Sequence, residues 1–260
     1  MSADLALASA AESATASAQW QTLVAEDLSL LARLHGLELD AATLAALRAA
    51  QFPDCLALPP VSGEGKEARQ LAAEAVASSD PAFALPLDDL AADYAAIYLT
   101  GRYHASPNES AWLDEDGLER QEAMFAVREW YRRHDLGAGD WRRRQDDNLS
   151  LQLQFIAHLC RAAENKTDWR AVADFLDKHP LRWLRRFAER VAGRAMTPFY
   201  AALGMLTADY LSALRAALIR LADAPLPPPE DENARPAKAS PCATGCDEAA
   251  PFVPGVGPTW

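Results

Sequence analysis

The sequence predicts an all-α fold, on three observations. Nearly every apolar segment of the 260 residues repeats with a period close to 3.6, as one face of a helix does. No segment alternates apolar and polar residues for long enough to form a half-buried strand. Glycine, proline and helix-capping residues separate the periodic segments, as they do at helix ends. We therefore expect one bundle of about nine or more helices.

The first four helices are bounded by residues that start or stop a helix. Gly36 ends the first helix, and Asp40 caps the second, which ends before Phe52-Pro53. Asp80-Pro81 stops the third, because the residue before proline disfavours helical geometry. Gly101 ends the fourth. These helices are predicted over about residues 19–35, 41–51, 65–79 and 88–100.

The remaining helices show similar signals. The fifth begins with acidic residues and ends with arginines, which suits the helix dipole. The last helix opens with Thr197 as N-cap and Pro198 at its first position. The five are predicted over about residues 118–134, 147–163, 168–178, 180–193 and 197–222.

Composition divides the chain into three parts. Residues 1–18 have no continuous apolar face and are expected to form a disordered arm. Residues 19–223 carry the periodic segments and form the helical domain. Residues 224–260 are rich in proline, alanine and charge and lack a period, so a disordered tail is expected. The tail contains Cys242 and Cys246, but two thiols do not make a metal site.

The charge and the apolar pattern exclude several classes of function. The net charge of −12 opposes binding to nucleic acid, which requires a basic face. Residues 1–20 lack the basic start and apolar core of a secretory signal. No run approaches 18 apolar residues, so stable membrane insertion is not expected. We expect a cytoplasmic protein.

Residue patterns for a metal site or a catalytic site are missing from the sequence. The histidines lie on five different segments without the i, i+3 or i+4 spacing that metal-binding helices use. There is no glycine-rich phosphate loop and no nucleophile elbow. Cys160, inside an apolar stripe, is expected to act as a small hydrophobe. The sequence predicts no catalytic residues, no metal and no cofactor.

A polar segment between two helices, SPNESAWLDEDG at residues 106–117, contains a tryptophan. Proline, turn-forming residues and four acidic residues predict a surface loop. Trp112 either packs the loop back onto the helices or belongs to a binding surface. The three arginines at 142–144 leave a similar choice, between a solvated face and a contact with phosphate or an acidic partner.

Four segments together resemble the TorD/DmsD/NarJ family of redox-enzyme maturation chaperones. They are DYAAIY (93–98), SPNESAWLD (106–114), QDDNLSLQLQFIAHL (145–159) and HPLRWLRRFAERVAGRAMTPFY (179–200). The resemblance covers roughly residues 20–222. It implies an all-helical chaperone without catalytic turnover, which binds the apo form of a molybdenum-containing oxidoreductase and its twin-arginine signal peptide, assists cofactor insertion and delays export.

The resemblance also implies which residues bind the client peptide. A family loop pattern, proline-x-x-serine-x-aromatic, falls on Pro107, Ser110 and Trp112. A second pattern, glutamate-proline-x-aspartate-histidine, falls on residues 144–148, where Arg144, Gln145 and Asn148 replace three family residues; a frequent glutamate one turn later is Gln152. A basic and apolar leader would fit an apolar groove with an acidic rim. Among the expected client-binding residues, Tyr94, Trp112 and Leu113 would form the groove, and Glu109, Asp114, Asp146 and Asp147 the rim, with Asp116 also on the rim. Pro107, Ser110 and Asn148, from the two patterns, complete the expected set.

Two other classes of function stay open at this point. A helical enzyme predicts a buried polar cluster in a closed pocket. A scaffold or protein-interaction module without a redox-enzyme client predicts a fully packed Trp112 and no exposed apolar groove. The sequence does not choose between a monomer and a homodimer, and it does not identify the client.

Overall fold

A computed structural model describes residues 2–77, 86–137 and 144–223, with the backbone alone for residues 2–16. Over these residues the chain forms ten α-helices and no strand, which confirms the all-α prediction. The α-helices are α1 (Ser2–Gly36), α2 (Ala41–Ala49), α3 (Gly63–Ala77), α4 (Leu87–Tyr94), α5 (Ser110–Leu113), α6 (Glu122–Arg133), α7 (Leu149–Ala162), α8 (Lys166–Lys178), α9 (Leu184–Ala192) and α10 (Pro198–Leu221). A π-helical turn, Ala95–Leu99, continues α4, and a 3-10 turn, Pro180–Arg182, precedes α9.

Helix α10 forms the centre of the domain. It packs against α3, α8 and α9, while α1 pairs with α7. The largest fully buried side chains include Trp183, Phe187 and Tyr200. Helix α10 is long and apolar enough to cross a membrane, but 61% of its most apolar 18-residue window is buried against the other helices. Burial of its apolar surface accounts for its composition.

The first helix is longer than predicted. The sequence predicts an arm over residues 1–18 and a helix from Gln19, whereas α1 begins at Ser2. Eight of the residues 3–18 are alanine, which has the highest intrinsic helix propensity, so the backbone continues as a helix without an apolar stripe. The predicted tail over residues 224–260, with Cys242 and Cys246, lies outside the described residues.

The last helix begins where the sequence predicts, but its cap works differently. Thr197 occupies the N-cap position without a side-chain bond to its own helix. Its hydroxyl donates instead to Asp93 Oδ2 of α4, at 2.6 Å. Asp93 also accepts hydrogen bonds from the backbone N–H groups of Met196 and Thr197, at 3.0 and 2.7 Å, and from the hydroxyl of Tyr103, at 2.7 Å. One buried carboxylate therefore ties α4 to the start of α10.

A second aspartate fixes the start of α3. Asp209 of α10 accepts hydrogen bonds from the backbone N–H groups of Val61 and Ser62, both at 3.0 Å. A Cβ at position 65 would lie 2.1 Å from the carboxylate carbon of Asp209. Gly65 therefore permits the close approach of the two helices.

A buried histidine joins three elements of the core. Thr207 Oγ1 donates to the carbonyl of Leu203 at 2.8 Å, so it must accept at 2.9 Å from His35 Nε2. The other ring nitrogen, Nδ1, then accepts the hydroxyl proton of Tyr98 at 2.6 Å. Burial lowers the pKa of His35 to about 3, so the ring is neutral in the folded protein at ordinary pH.

This histidine should make the stability depend on pH. The unfolded chain takes up a proton at His35 below about pH 6.5, and the folded chain does not until about pH 3. Relative to a His35→Gln variant, we expect the wild type to lose about 1.4 kcal/mol of unfolding free energy per pH unit below about 6.5. Urea unfolding at several pH values measures the difference. The control is His104→Gln, which changes an exposed site and keeps His35, so its stability should fall with pH as that of the wild type does.

Candidate functional site

Two loop segments that are far apart in sequence lie side by side. Asn108 and Asn148 form an isolated antiparallel bridge. The backbone N–H of Leu149 donates to the carbonyl of Pro107 at 2.8 Å, and the N–H of Glu109 donates to the carbonyl of Asp147 at 3.1 Å. The two family-like patterns in the sequence therefore form one structural unit, which we call the paired loops (residues 106–113 and 144–150).

Asp147 lies inside the paired loops and not at a rim. It is fully buried, and its Oδ2 accepts the backbone N–H of Ser110 at 2.7 Å, at the start of α5. Burial raises the pKa of Asp147, and the hydrogen bond from Ser110 opposes that shift. The sequence-based expectation of a rim charge is wrong for this residue, because the loop pairing removes it from water.

Glu109 is also buried, although it was expected at the rim. Its Oε2 accepts the side-chain amide of Gln152 at 2.6 Å, and its Oε1 lies 3.1 Å from Nδ1 of His179. Burial raises the pKa of Glu109, and the bonds to His179 and Gln152 oppose the rise. The Gln152 amide also donates to the carbonyl of Asp147 at 3.2 Å. A glutamate at 152 could not donate these two bonds and would add a third carboxylate beside Glu109 and Asp147.

Asp146 forms an ion pair and is largely buried. Its Oδ2 accepts a hydrogen bond from Nε–H of Arg128 at 2.7 Å, and the hydroxyl of Tyr131 donates to its backbone carbonyl at 2.9 Å. Asp146 therefore attaches the paired loops to α6. It does not supply the free rim charge that the sequence predicts.

Tyr94 and Arg144 meet at the end of α1. The Tyr94 hydroxyl and the Arg144 guanidinium both donate to the carbonyl of Gly36, at 2.9 and 2.8 Å. Tyr94 is buried there and does not line an open groove. Asn148 caps α7, since its Oδ1 accepts the N–H of Ser150 at 3.1 Å. Arg142 and Arg143, from the predicted arginine cluster, lie outside the described residues.

Trp112 packs the loop onto the domain. The side chain is only 8% exposed, and its Nε1 donates to the carbonyl of Ser106 at 2.8 Å. Its ring lies edge-on to Phe187 at 6.4 Å between centroids, and the Arg190 guanidinium lies 4.8 Å from its centre. Of the two alternatives from the sequence, packing is correct. The expected surface loop contains the short helix α5, and its tryptophan is not left in water.

The exposed part of the site follows Trp112. Leu113 and Asp114 are half-buried, and Leu118 and Phe125 are each 54% exposed. We call residues 113–125 the acidic–apolar surface. Its acidic residues are Asp114, Glu115, Asp116, Glu119 and Glu122, against one arginine, Arg120. The surface therefore combines exposed apolar side chains with a local negative charge.

Hydrogen bonds hold the acidic–apolar surface against the paired loops. Within the surface, Asp114 Oδ2 accepts the backbone N–H groups of Asp116 and Leu118, at 3.0 and 2.9 Å. The backbone N–H of Arg120 donates to Ser110 Oγ of the paired loops at 3.0 Å. Ser106 Oγ donates to Glu119 Oε1 at 2.6 Å. Partial burial alone would raise the pKa of Glu119, but hydrogen bonds from Ser106 and two further side chains bring it below its usual value. Glu119 is therefore a stable negative charge on this surface.

The described residues contain no group of three or more potential metal ligands. Cys160 is buried among apolar side chains, and burial raises the pKa of its thiol to about 12, which leaves the thiol protonated. His179, beside Glu109, was missed by sequence analysis. It lies 70 residues away in the chain, and only the packing of α8 against the paired loops brings it there.

Comparisons with known proteins match much of the chain. Residues 63–189 match the family described as nitrate reductase delta subunit. Chaperone protein TorD of Shewanella loihica is 30% identical over 193 residues, which cover 70% of this chain and 87% of the relative. Chaperone protein TorD of Vibrio cholerae is 29% identical over 131 residues, covering 47% and 59%. The probable Tat proofreading chaperone DmsD of Haemophilus influenzae is 28% identical over 101 residues, covering 39% and 47%.

Proposed function

The chain belongs to the TorD/DmsD/NarJ family of molybdoenzyme maturation chaperones, and from that membership we propose that it binds an immature molybdenum-cofactor oxidoreductase subunit in the cytoplasm. The contact is with the twin-arginine signal peptide of that subunit, its apoprotein, or both. By holding the client in this state, the chaperone assists cofactor insertion and delays export. It has no catalytic activity of its own.

The observation that carries the proposal is the acidic–apolar surface. A twin-arginine leader has a basic head and an apolar stretch. Leu118 and Phe125 offer exposed apolar area, and the five acidic residues of the same segment attract the basic head. Long-range attraction between the acidic surface and the basic head of the leader speeds association, and the apolar contact slows dissociation.

The residues predicted for the site then divide into two roles. Glu109, Ser110, Trp112, Asp146 and Asp147 are buried and hold the paired loops in shape. Tyr94 is buried at the end of α1, where it shares the Gly36 carbonyl with Arg144. Leu113, Asp114 and Asp116 lie on the acidic–apolar surface and contact the client. Pro107 and Asn148 belong to the loop pairing.

Substitution of the two exposed apolar residues should weaken client binding. For Leu118→Ser combined with Phe125→Ser, we expect the Kd of a synthetic peptide, two arginines followed by a leucine-rich stretch, to rise at least about tenfold, equal to about 1.4 kcal/mol. Fluorescence anisotropy measures the Kd. Because both side chains are exposed, the thermal midpoint should change little.

The matched control is Leu37→Ser combined with Leu99→Ser, two leucines that are 58% and 67% exposed elsewhere on the domain. This pair should leave the Kd unchanged. Equal losses from both pairs would show that apolar exposure in general, and not this surface, binds the peptide. Affinity purification from the native host distinguishes the chaperone from the remaining alternative, a scaffold protein. A scaffold without a redox-enzyme client would not enrich an apo-oxidoreductase subunit.

A further inference from the structure

Four arginines recur every four residues before, along and after helix α9. Arg186 and Arg190 lie on α9, Arg182 lies in the 3-10 turn before it, and Arg194 follows its end, each four residues from the next. The two outer residues, Arg182 and Arg194, are exposed, and the two inner residues are half-buried. We call these residues the arginine row.

The row lies against the loop that contains Trp112. Arg186 donates to the carbonyl of Trp112 at 3.0 Å, and Arg190 donates to the carbonyl of His104 at 2.9 Å. Arg194 donates to the carbonyl of Tyr103. Carbonyl groups carry no net charge, so these bonds orient the guanidinium groups without cancelling their positive charge. Each guanidinium has five N–H donors, so Arg190 and Arg194, which each use one on a carbonyl, keep others for a further partner.

Three arginines of this row form no ion pair with a carboxylate among the described residues. Within the part of the chain that the structure describes, no ion pair joins Arg182, Arg190 or Arg194. Their neighbour Arg185 behaves differently, because it lies 2.6 Å from Glu64 and 2.9 Å from Glu189. Burial and the neighbouring charge of Arg194 lower the pKa of Arg190, which agrees with a run of like charges.

A row of this kind is unexpected on a chain whose net charge is −12. Like charges in a row repel one another, and an anionic partner would relieve that repulsion. Guanidinium groups bind carboxylates through paired N–H donors, and the Trp112 ring beneath Arg190 already restricts the motion of one of them.

We propose that the arginine row binds an acidic segment of the client protein. The inference rests on the proposed function in one respect, since it assigns the acidic segment to the same client as the basic leader. The arginine row and the acidic–apolar surface are different segments: Arg186 and Arg190 of α9 contact Trp112, and residues 113–125 follow Trp112 in the chain. The chaperone would then offer separate sites of opposite charge to two segments of one client.

The test measures binding of a fluorescein-labelled peptide made of eight acidic residues and four leucines. We expect Arg182→Gln and Arg194→Gln each to raise its Kd by about two- to five-fold, the range for exposed ion pairs, and the double variant by about tenfold. The loss should shrink as salt screens the charges. Arg182 makes no side-chain hydrogen bond among the described residues, so its variant should fold normally. Arg33→Gln and Arg132→Gln, exposed arginines on α1 and α6, should leave the Kd unchanged.

Three results would overturn the proposal. The first is equal loss from the row variants and the two control variants, or no binding by the wild type at low salt. The second is displacement of the peptide by a much lower concentration of a single-stranded oligonucleotide of equal charge, which would identify nucleic acid as the occupant. The third is a change of oligomeric mass in Arg182→Gln with unchanged peptide binding, which would identify a second copy of the chain.

The same proteins should be measured with the basic peptide. The row variants should bind it as the wild type does. Binding of the acidic peptide without binding of the basic peptide would remove the support for the proposed leader site and leave the arginine row intact as a site. The opposite result would remove only the row.

Discussion

We expect Trp112→Ala to lower the free energy of unfolding by about 3–5 kcal/mol, the range for removing a buried aromatic side chain. The substitution would leave a cavity against Phe187 and remove the hydrogen bond to the carbonyl of Ser106. It would also uncover the two guanidinium groups that lie over the ring, those of Arg186 and Arg190. Chemical denaturation measures the loss.

Phe125→Ala is the matched control, because this aromatic residue is exposed, and it should change stability by no more than about 0.5 kcal/mol. Trp112→Phe keeps the ring contact but lacks the N–H donor, so its free energy of unfolding should lie between those of the wild type and Trp112→Ala. A Trp112→Ala protein with unchanged stability and weakened client binding would instead make the tryptophan a direct contact.

We expect Asp93→Ala to lower the free energy of unfolding by at least about 3 kcal/mol. Its carboxylate accepts four hydrogen bonds, from the N–H groups of Met196 and Thr197 and the hydroxyls of Thr197 and Tyr103. Each buried donor left without a partner costs about 1–3 kcal/mol. The connection between α4 and the start of α10 would be lost with them.

Asp89→Ala, at an exposed position on the same helix, is the control and should have little effect. Asp93→Asn should cost less than alanine, since an amide oxygen still accepts some of the bonds, and Tyr103→Phe should remove one bond only. If Asp93→Ala and Asp89→Ala have the same midpoint in urea, the link between α4 and α10 does not contribute to stability.

The residues that depart from the family pattern form hydrogen bonds that keep the geometry of the paired loops. Gln152 supplies two donors, to Glu109 and to the carbonyl of Asp147, at a position where a carboxylate would accept only. Arg144 is anchored to Gly36, and Asn148 caps α7 and bonds to Asn108. The replaced residues therefore have partners within the fold.

The helical class and most helix ends follow from the sequence. Apolar residues with a 3.6-residue period, the cap at Asp40 and the stop at Gly101 act within a few residues, so one-dimensional patterns suffice to predict them. The start of α1 was missed because alanine favours a helix without producing an apolar stripe. The family was also visible, since its segments keep their order along the chain.

Tertiary structure alone decided which acidic residues face water. Glu109, Asp146 and Asp147 have the composition of a solvated rim, yet the pairing of residues 106–113 with 144–150 buries them beside Gln152, Arg128 and Ser110. The choice between a packed and an exposed Trp112 likewise depended on α9, which lies more than 70 residues further along the chain. Burial and charge pairing depend on which distant segments meet, and local sequence patterns do not contain that information.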